Sequence, residues 1–308
     1  MNTDQNAEVW KRLILGNLLD DFGLGTRDGR LDLSGLLAPE PATVKTVRTP
    51  LADVSELSGI TVLNQITWES LDFSGSHLNG LRFLDCKLND CAFDECDCQD
   101  WRSWGTTFSN TSFRYADLRK SALGGVQEGR INQFQNVDFT GADLRQTAYV
   151  SAGFVGCLFK NTWLDKVNFQ GSAFMDCSFE GELREVCFNR KGFGANSLPP
   201  NEMLRVDFTG AKLRSVEFRG LNLDDVCFPT DPDHIVLDEY PQALDKLIQG
   251  LQVRTDMASK QLAAFLGVYQ KWVGPMQRQG VLNKKDLLEI GGEDGLRVLL
   301  EMIESQQR

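Results

Sequence analysis

Any chemistry in this chain would have to come from a small stock of side chains. The 308 residues include two histidines and eight cysteines. His77 and His234 each lack a sequence neighbour that would complete a nucleophile–base pair or a metal set. Cys91, Cys96 and Cys98 do not have the paired CxxC spacing of a zinc site. The GxG triplets at 23–25 and 192–194 stand outside the strand–helix context that phosphate binding needs. The expectation is a protein that is not an enzyme and carries neither cofactor nor metal.

What the side chains do show is a count in fives. Stepping five from Phe73 gives Leu78, Phe83, Leu88, Phe93, Cys98, Ser103, Phe108, Phe113, Leu118 and Leu123. After a step of 11 the count resumes as Phe134, Phe139, Leu144, Tyr149, Phe154, Phe159, Leu164, Phe169, Phe174 and Phe179. Eighteen of these 21 positions are Phe or Leu, and later members such as Phe188, Phe193, Phe208, Phe218 and Phe228 bring 17 of the 19 Phe onto the grid. A second grid two residues before these positions prefers small side chains, as at Ser76, Cys86, Cys91, Cys96, Thr106, Ala142, Cys157 and Cys177. A period of five suits neither an amphipathic helix nor a half-buried strand. It suits a coil that turns a corner at each repeat, with large residues on the axis and small ones where backbone passes close. On such a coil every outward face is polar, so neighbouring carboxylates are expected from geometry alone.

Segments such as Ala116-Asp117-Leu118-Arg119-Lys120, Ala142-Asp143-Leu144-Arg145-Gln146 and Val137-Asp138-Phe139-Thr140-Gly141 resemble the A(D/N)LXX unit of pentapeptide-repeat proteins. The resemblance implies a mainly β fold, a right-handed quadrilateral β-helix with four repeats per coil. About eight coils stacked at the strand spacing of roughly 4.8 Å would give a rod. It also implies two functional classes. One is the Qnr-type and mycobacterial fluoroquinolone-resistance proteins, rods that mimic duplex DNA and act on DNA gyrase or topoisomerase IV. The other is a scaffold that offers flat faces to an unidentified protein partner.

Composition limits these options. A net charge of −11 argues against direct nucleic-acid binding. No apolar run reaches membrane-spanning length, and the start of the chain lacks signal-peptide features, so a cytoplasmic location is expected. Cysteines on the small-residue grid read as free, buried thiols. The acidity is diffuse except at 85–100, where Asp85, Asp90, Asp94, Glu95, Asp97 and Asp100 face only Lys87. That run is one candidate contact surface.

Three segments follow from the ends and breaks of the grid. Residues 1–60 carry a helical stripe (Val9, Trp10, Leu13, Ile14, Leu18, Leu19) and a Gly- and Pro-rich loop, expected to cap the first coil. Residues 61–229 form the coil, with the grid fading in near Leu63. Residues 230–308 are helical and short of partners, expected to cover the coil end or to dimerise. Trp101-Arg102-Ser103-Trp104-Gly105 reverses the large and small positions, which predicts a bulge. Gly124 to Gln133 and residues 189–203 read as projecting loops. Gln127, Glu128 and Arg130 of the first loop, together with Trp163, complete the candidate contact residues.

Overall fold

The computed structural model describes residues 3–15, 17, 19–39, 62–192, 202–274 and 277–306. Across the grid, short strands pair in parallel with strands one coil away. Lys87 pairs with Thr107, Gln133 with Gly153 and Gly153 with Ala173, so a coil takes 20 residues. Between Thr107 and Gln133 it takes 26. Stacking coils in this register turns the five-residue grid into four inward ladders. Phe73, Phe93, Phe113, Phe139, Phe159, Phe179, Phe208 and Phe228 form one, with ring centroids 4.6–6.4 Å apart and planes within 3–17°. Phe108, Phe134, Phe154 and Phe174 stack in a second, Phe169, Phe188 and Phe218 in a third. Leu118, Leu144 and Leu164 belong to the fourth, and Phe83 lies in the same core; all are buried.

The small position has a hydrogen-bonding role as well as a steric one. Thr162 Oγ1 donates to the Phe139 carbonyl at 2.8 Å, Ser172 Oγ to that of Tyr149 at 2.7 Å, and Cys86 Sγ to that of Leu63 at 3.2 Å. Each bond ties the small residue to a buried carbonyl of the coil below, and the Phe139 carbonyl accepts the Ala142 N–H at 3.0 Å as well. Two residues after most axis residues the chain turns outward with φ in the left-handed region. Asp85, Asp90, Glu95 and Asp100 have φ of 51–58°. Asp and Asn tolerate that conformation better than most residues, which is why the outward corners select them.

Helix α1 (Thr3–Leu15) buries Val9, Trp10 and Leu13. The Trp10 indole donates to the Leu37 carbonyl at 2.6 Å and lies 6.0 Å from the Trp68 ring, so the helix sits against the first coil. The sequence places the start of the grid near Leu63, but it begins earlier. Leu31 and Asp32 pair in parallel with Leu71 and Asp72, and Leu33 is fully buried. This stretch lacks aromatic residues, which hid it.

The expected bulge at 101–105 is absent. Arg102–Trp104 is a regular strand with Ser103 opposite Phe83, and Trp101 is fully buried. The large residue has moved from the axis position to the corner, and the backbone keeps its path.

The C-terminal residues form a strand pair, His234–Asp238 against Gln279–Asn283, and three helices. These are α2 (Tyr240–Gln252), α3 (Met257–Trp272) and α4 (Lys284–Gln306), the last broken at Gly292. The sequence leaves their stripes to be covered by the coil end or by a second copy of the chain. Instead Leu244, Leu247, Leu251, Leu262, Leu266, Leu287 and Leu299 pack together in a core of their own. The seam with the last coil mixes apolar and polar contacts: Val281 packs into the coil's core, Arg214 pairs with Asp286 at 2.7 Å, and Gly220 N–H donates to the Trp272 carbonyl at 3.0 Å.

Candidate functional site

The acidic run does not form a patch. Five residues along the chain advance the coil by one corner, so Asp85, Asp90, Glu95 and Asp100 point from successive corners of one coil. Most are also paired. Arg30 reaches Asp90 at 2.8 Å, and Asp100 meets Arg82 at 2.8 Å and Arg102 at 2.7 Å. The Ser70 hydroxyl, with Arg30 beside it, holds the Asp90 carboxyl below the usual carboxylate range. Asp94 accepts the Arg114 N–H and the Ser112 hydroxyl from the next coil, and Asp97 accepts the Gln99 N–H in a local turn. Glu95 has no side-chain partner among the described residues. The acids are there because the corners favour them and arginines can neutralise them.

The projecting element at 124–133 is a tight hairpin. Val126 pairs with Ile131 and Gln127 with Arg130, antiparallel, around Glu128 and Gly129 at φ 50° and 78°. Two left-handed residues in a two-residue loop suit the twist of a hairpin. Arg130 Nη2 lies 2.9 Å from Asp85 Oδ1, tying the hairpin to the coil corner. Gly105, also left-handed, lies beneath, and any side chain there would collide with the Asp85 carboxylate. The sequence boundaries of this loop were too wide. Asn132 is fully buried, accepting the Thr106 N–H at 2.9 Å and donating to Ser103 Oγ at 2.8 Å, and Gln133 begins the next strand. The second candidate loop falls largely on 193–201, outside the described residues.

Trp163 is 54% exposed on another face, with the Arg145 guanidinium 4.7 Å above its ring. Arg145 also pairs with Asp143 at 2.6 Å, and Arg119 with Asp117 at 2.5 Å. On this face Asp117 and Asp143 each bring an arginine two residues later, whereas Asp97 on the same ladder is followed by Gln99. The structure brings Arg130 to Asp85, but the other candidate contact residues lie on separate corners and faces and form no single site.

The histidines differ. His77 is exposed. His234 is buried, with Nδ1 2.8 Å from Asp231 Oδ2, and Nε2 accepting the Leu213 N–H at 3.0 Å and 3.2 Å from Asn283 Nδ2. With both nitrogens engaged, the ring fastens the C-terminal strand pair to the coil. Sequence reading missed this role because Leu213 and Asn283 are distant along the chain. Among the described residues, no group of three or more His, Cys, Asp or Glu could hold a metal ion, and no helix is long and apolar enough to cross a membrane.

All eight cysteines are free, six of them buried, with Cys187 half-buried and Cys227 exposed. Cys157 and Cys177 lie one coil apart on the same corner, stacked, a relation that reading along the chain did not reveal. Burial pushes the Cys86 thiol up to about 11 and the Cys91 thiol up to about 12. Because the thiolate is the reactive form, a chromogenic thiol reagent at neutral pH should label Cys227 quickly and Cys187 slowly. The other six should react only on unfolding. Fast reaction of most of the eight would contradict the inward assignment.

Fold and repeat together define a β-solenoid of five-residue units, and the chain is similar to a pentapeptide repeat protein. It is 27% identical over 129 residues to the quinolone resistance pentapeptide repeat protein QnrB96 of Scandinavium goeteborgense. That match covers 40% of this chain and spans 57% of the relative's length. Among solved structures it is similar to the pentapeptide repeat protein Rfr23 of Cyanothece 51142 (12% identity, 39% of this chain and 88% of that one, TM-score 0.30). Another is trypsin-treated QnrB1, a plasmid-mediated fluoroquinolone resistance protein (18% identity, 65% and 92%, TM-score 0.25). No protein-family model matches the chain.

Proposed function

We propose that this protein is a non-enzymatic binding protein of the cytoplasm whose partner is a type II topoisomerase, DNA gyrase or topoisomerase IV. The observation that carries the reading is the hairpin. It adds six residues to one coil, leaves the ladders on either side in register, and is held at the surface by Arg130 and Asp85. A segment that the fold does not need, yet holds in place, suits presentation to a partner. Similarity to a quinolone resistance protein points to gyrase as the first partner to test. The paired acids favour contact through the hairpin and the rod's shape over mimicry of DNA by one acidic face. A homodimer through the C-terminal helices has less support, since those helices bury their main stripes on one another.

A purified-gyrase supercoiling assay, with and without a fluoroquinolone, tests this. Intact protein should alter supercoiling or relieve the drug's block. Removing residues 125–130 restores a step of five from Leu123 to Phe134 and keeps Asn132, so the variant should fold and lose the effect. Silence of the intact protein at micromolar concentration would sink the gyrase reading. The scaffold reading would then stand, favoured by the long seven-stranded face on which Val155 and Met175 are exposed.

A further inference from the structure

Helix α3 is apolar on two opposite sides. Ser259, Leu262, Ala263 and Leu266 are buried on the side that meets the module's core. At about 100° per residue, Met257, Ala264 and Val268 fall on the opposite side, with Gln261 beside them. Met257 is 68% exposed and Val268 51% exposed, and Ala264 is exposed as well. A surface helix ordinarily turns polar residues to that side, and one that is apolar all round is normally buried. The shape is that of a saddle. Small residues, Ala264 and Gly267, lie at mid-helix, and nothing stands within 4 Å of where a Gly267 side chain would begin. Met257 lies at one end and Trp272, 39% exposed, at the other.

Charge narrows the choice of occupant. Between Met257 and Trp272 the charged residues are Lys260 and Lys271, with no acid, in a chain of net charge −11. Neither lysine has a carboxylate partner among the described residues; Lys271 lies over the Trp272 ring at 5.4 Å. Self-pairing of two α3 faces would double the lysines without adding an acid.

We propose that the outer face of α3 is the docking surface for an acidic amphipathic helix of a partner protein. The partner's apolar stripe covers Met257, Ala264 and Val268, and its carboxylates meet Lys260 and Lys271. Met is a residue type that interfaces favour, and helix-in-groove recognition uses apolar anchors at spacings of four and seven residues, which Met257, Ala264 and Val268 keep. The surface shares no residue with the hairpin, so it stands whether or not a topoisomerase binds there.

A display library of helical 16-residue peptides, panned against the full chain, tests the proposal. Retained peptides should carry an apolar stripe and a net negative charge. The best of them, by fluorescence anisotropy, should bind at least about tenfold more weakly to Val268→Asp and to Ala264→Arg. The double variant Lys260→Glu/Lys271→Glu should also lose affinity, and more salt should weaken binding to the wild type. All four positions are exposed, so melting curves should not change. The proposal is overturned if no peptide is enriched, if those enriched are neutral or basic, or if binding ignores these variants. It is equally overturned if light scattering shows a dimer that Val268→Asp dissociates, since a second copy would then own the face.

Discussion

Phe159→Ala should cost about 3–5 kcal/mol, the range for truncating a fully buried aromatic residue. Phe159 is fully buried, stacked 5.0 Å from Phe139 below and 4.6 Å from Phe179 above, with Phe154 and Phe169 edge-on at 5.8 and 6.2 Å. Each stacked ring is held by its own strand, so neither can move in to fill the space. Lost ring pairing adds about 0.5–1.5 kcal/mol per contact to the lost burial. The cost should therefore sit toward the upper end. Asp165→Ala, on the outer surface of the neighbouring repeat, should stay within about 0.5 kcal/mol of wild type. Urea unfolding of both variants is the measurement, and an unchanged midpoint for Phe159→Ala would remove the ladder as the basis of stability.

The ladder itself was legible in the sequence because its signal is redundant. Phe or Leu at each fifth residue, with a small residue two before it, restates one geometric fact many times. Legibility failed where the fact was stated once or in other residues. The stretch at 31–38 carries Leu31, Leu33 and Leu36 in place of Phe, and its coil partner Leu71 lies 40 residues on. Cys157 and Cys177, or Asp117 and Asp143, become neighbours only once the coil length is known.

The candidate site shows the same limit more sharply. Six acids within 16 residues look like a patch when read along the chain, but neighbours on a coil face come from the coil above or below. The arginines that neutralise them, Arg30 on Asp90 and Arg82 on Asp100, are 60 and 18 residues away. The hairpin was visible as a broken count with three glycines. Its inner boundary was not, because nothing in the sequence marks Asn132 as the buried stand-in for a small corner residue. The C-terminal helices were read as single stripes, and stripes alone do not say whether helices pack on the coil or on each other. In α3 the stripe reading also passed over Ala264 and Val268, which the structure leaves exposed, with Met257, opposite the buried residues.

Trp101→Ala should be as damaging as Phe159→Ala, about 3–5 kcal/mol, and for a reason that a second substitution can expose. The Trp101 ring lies 4.8 Å from Phe83 and 5.3 Å from Phe93, in the space where an axis residue at 103 would otherwise project. Its indole N–H also donates to the Leu78 carbonyl at 2.6 Å, which truncation leaves unpaired at a further cost of about 1 kcal/mol or more. Ser103 and Cys98, both fully buried, are small because the indole is large. Ser103→Leu alone should thus overpack the coil and cost about 1–3 kcal/mol, losing in addition the bond from Asn132. In the Trp101→Ala background the same leucine enters a vacated volume, restores the ordinary repeat, and should recover about 1.5 kcal/mol or more of the loss. The sign of its effect reverses between the two backgrounds. A double-mutant cycle in urea reads that coupling directly, and additivity within about 0.5 kcal/mol would mean that Trp101 and Ser103 do not share one volume.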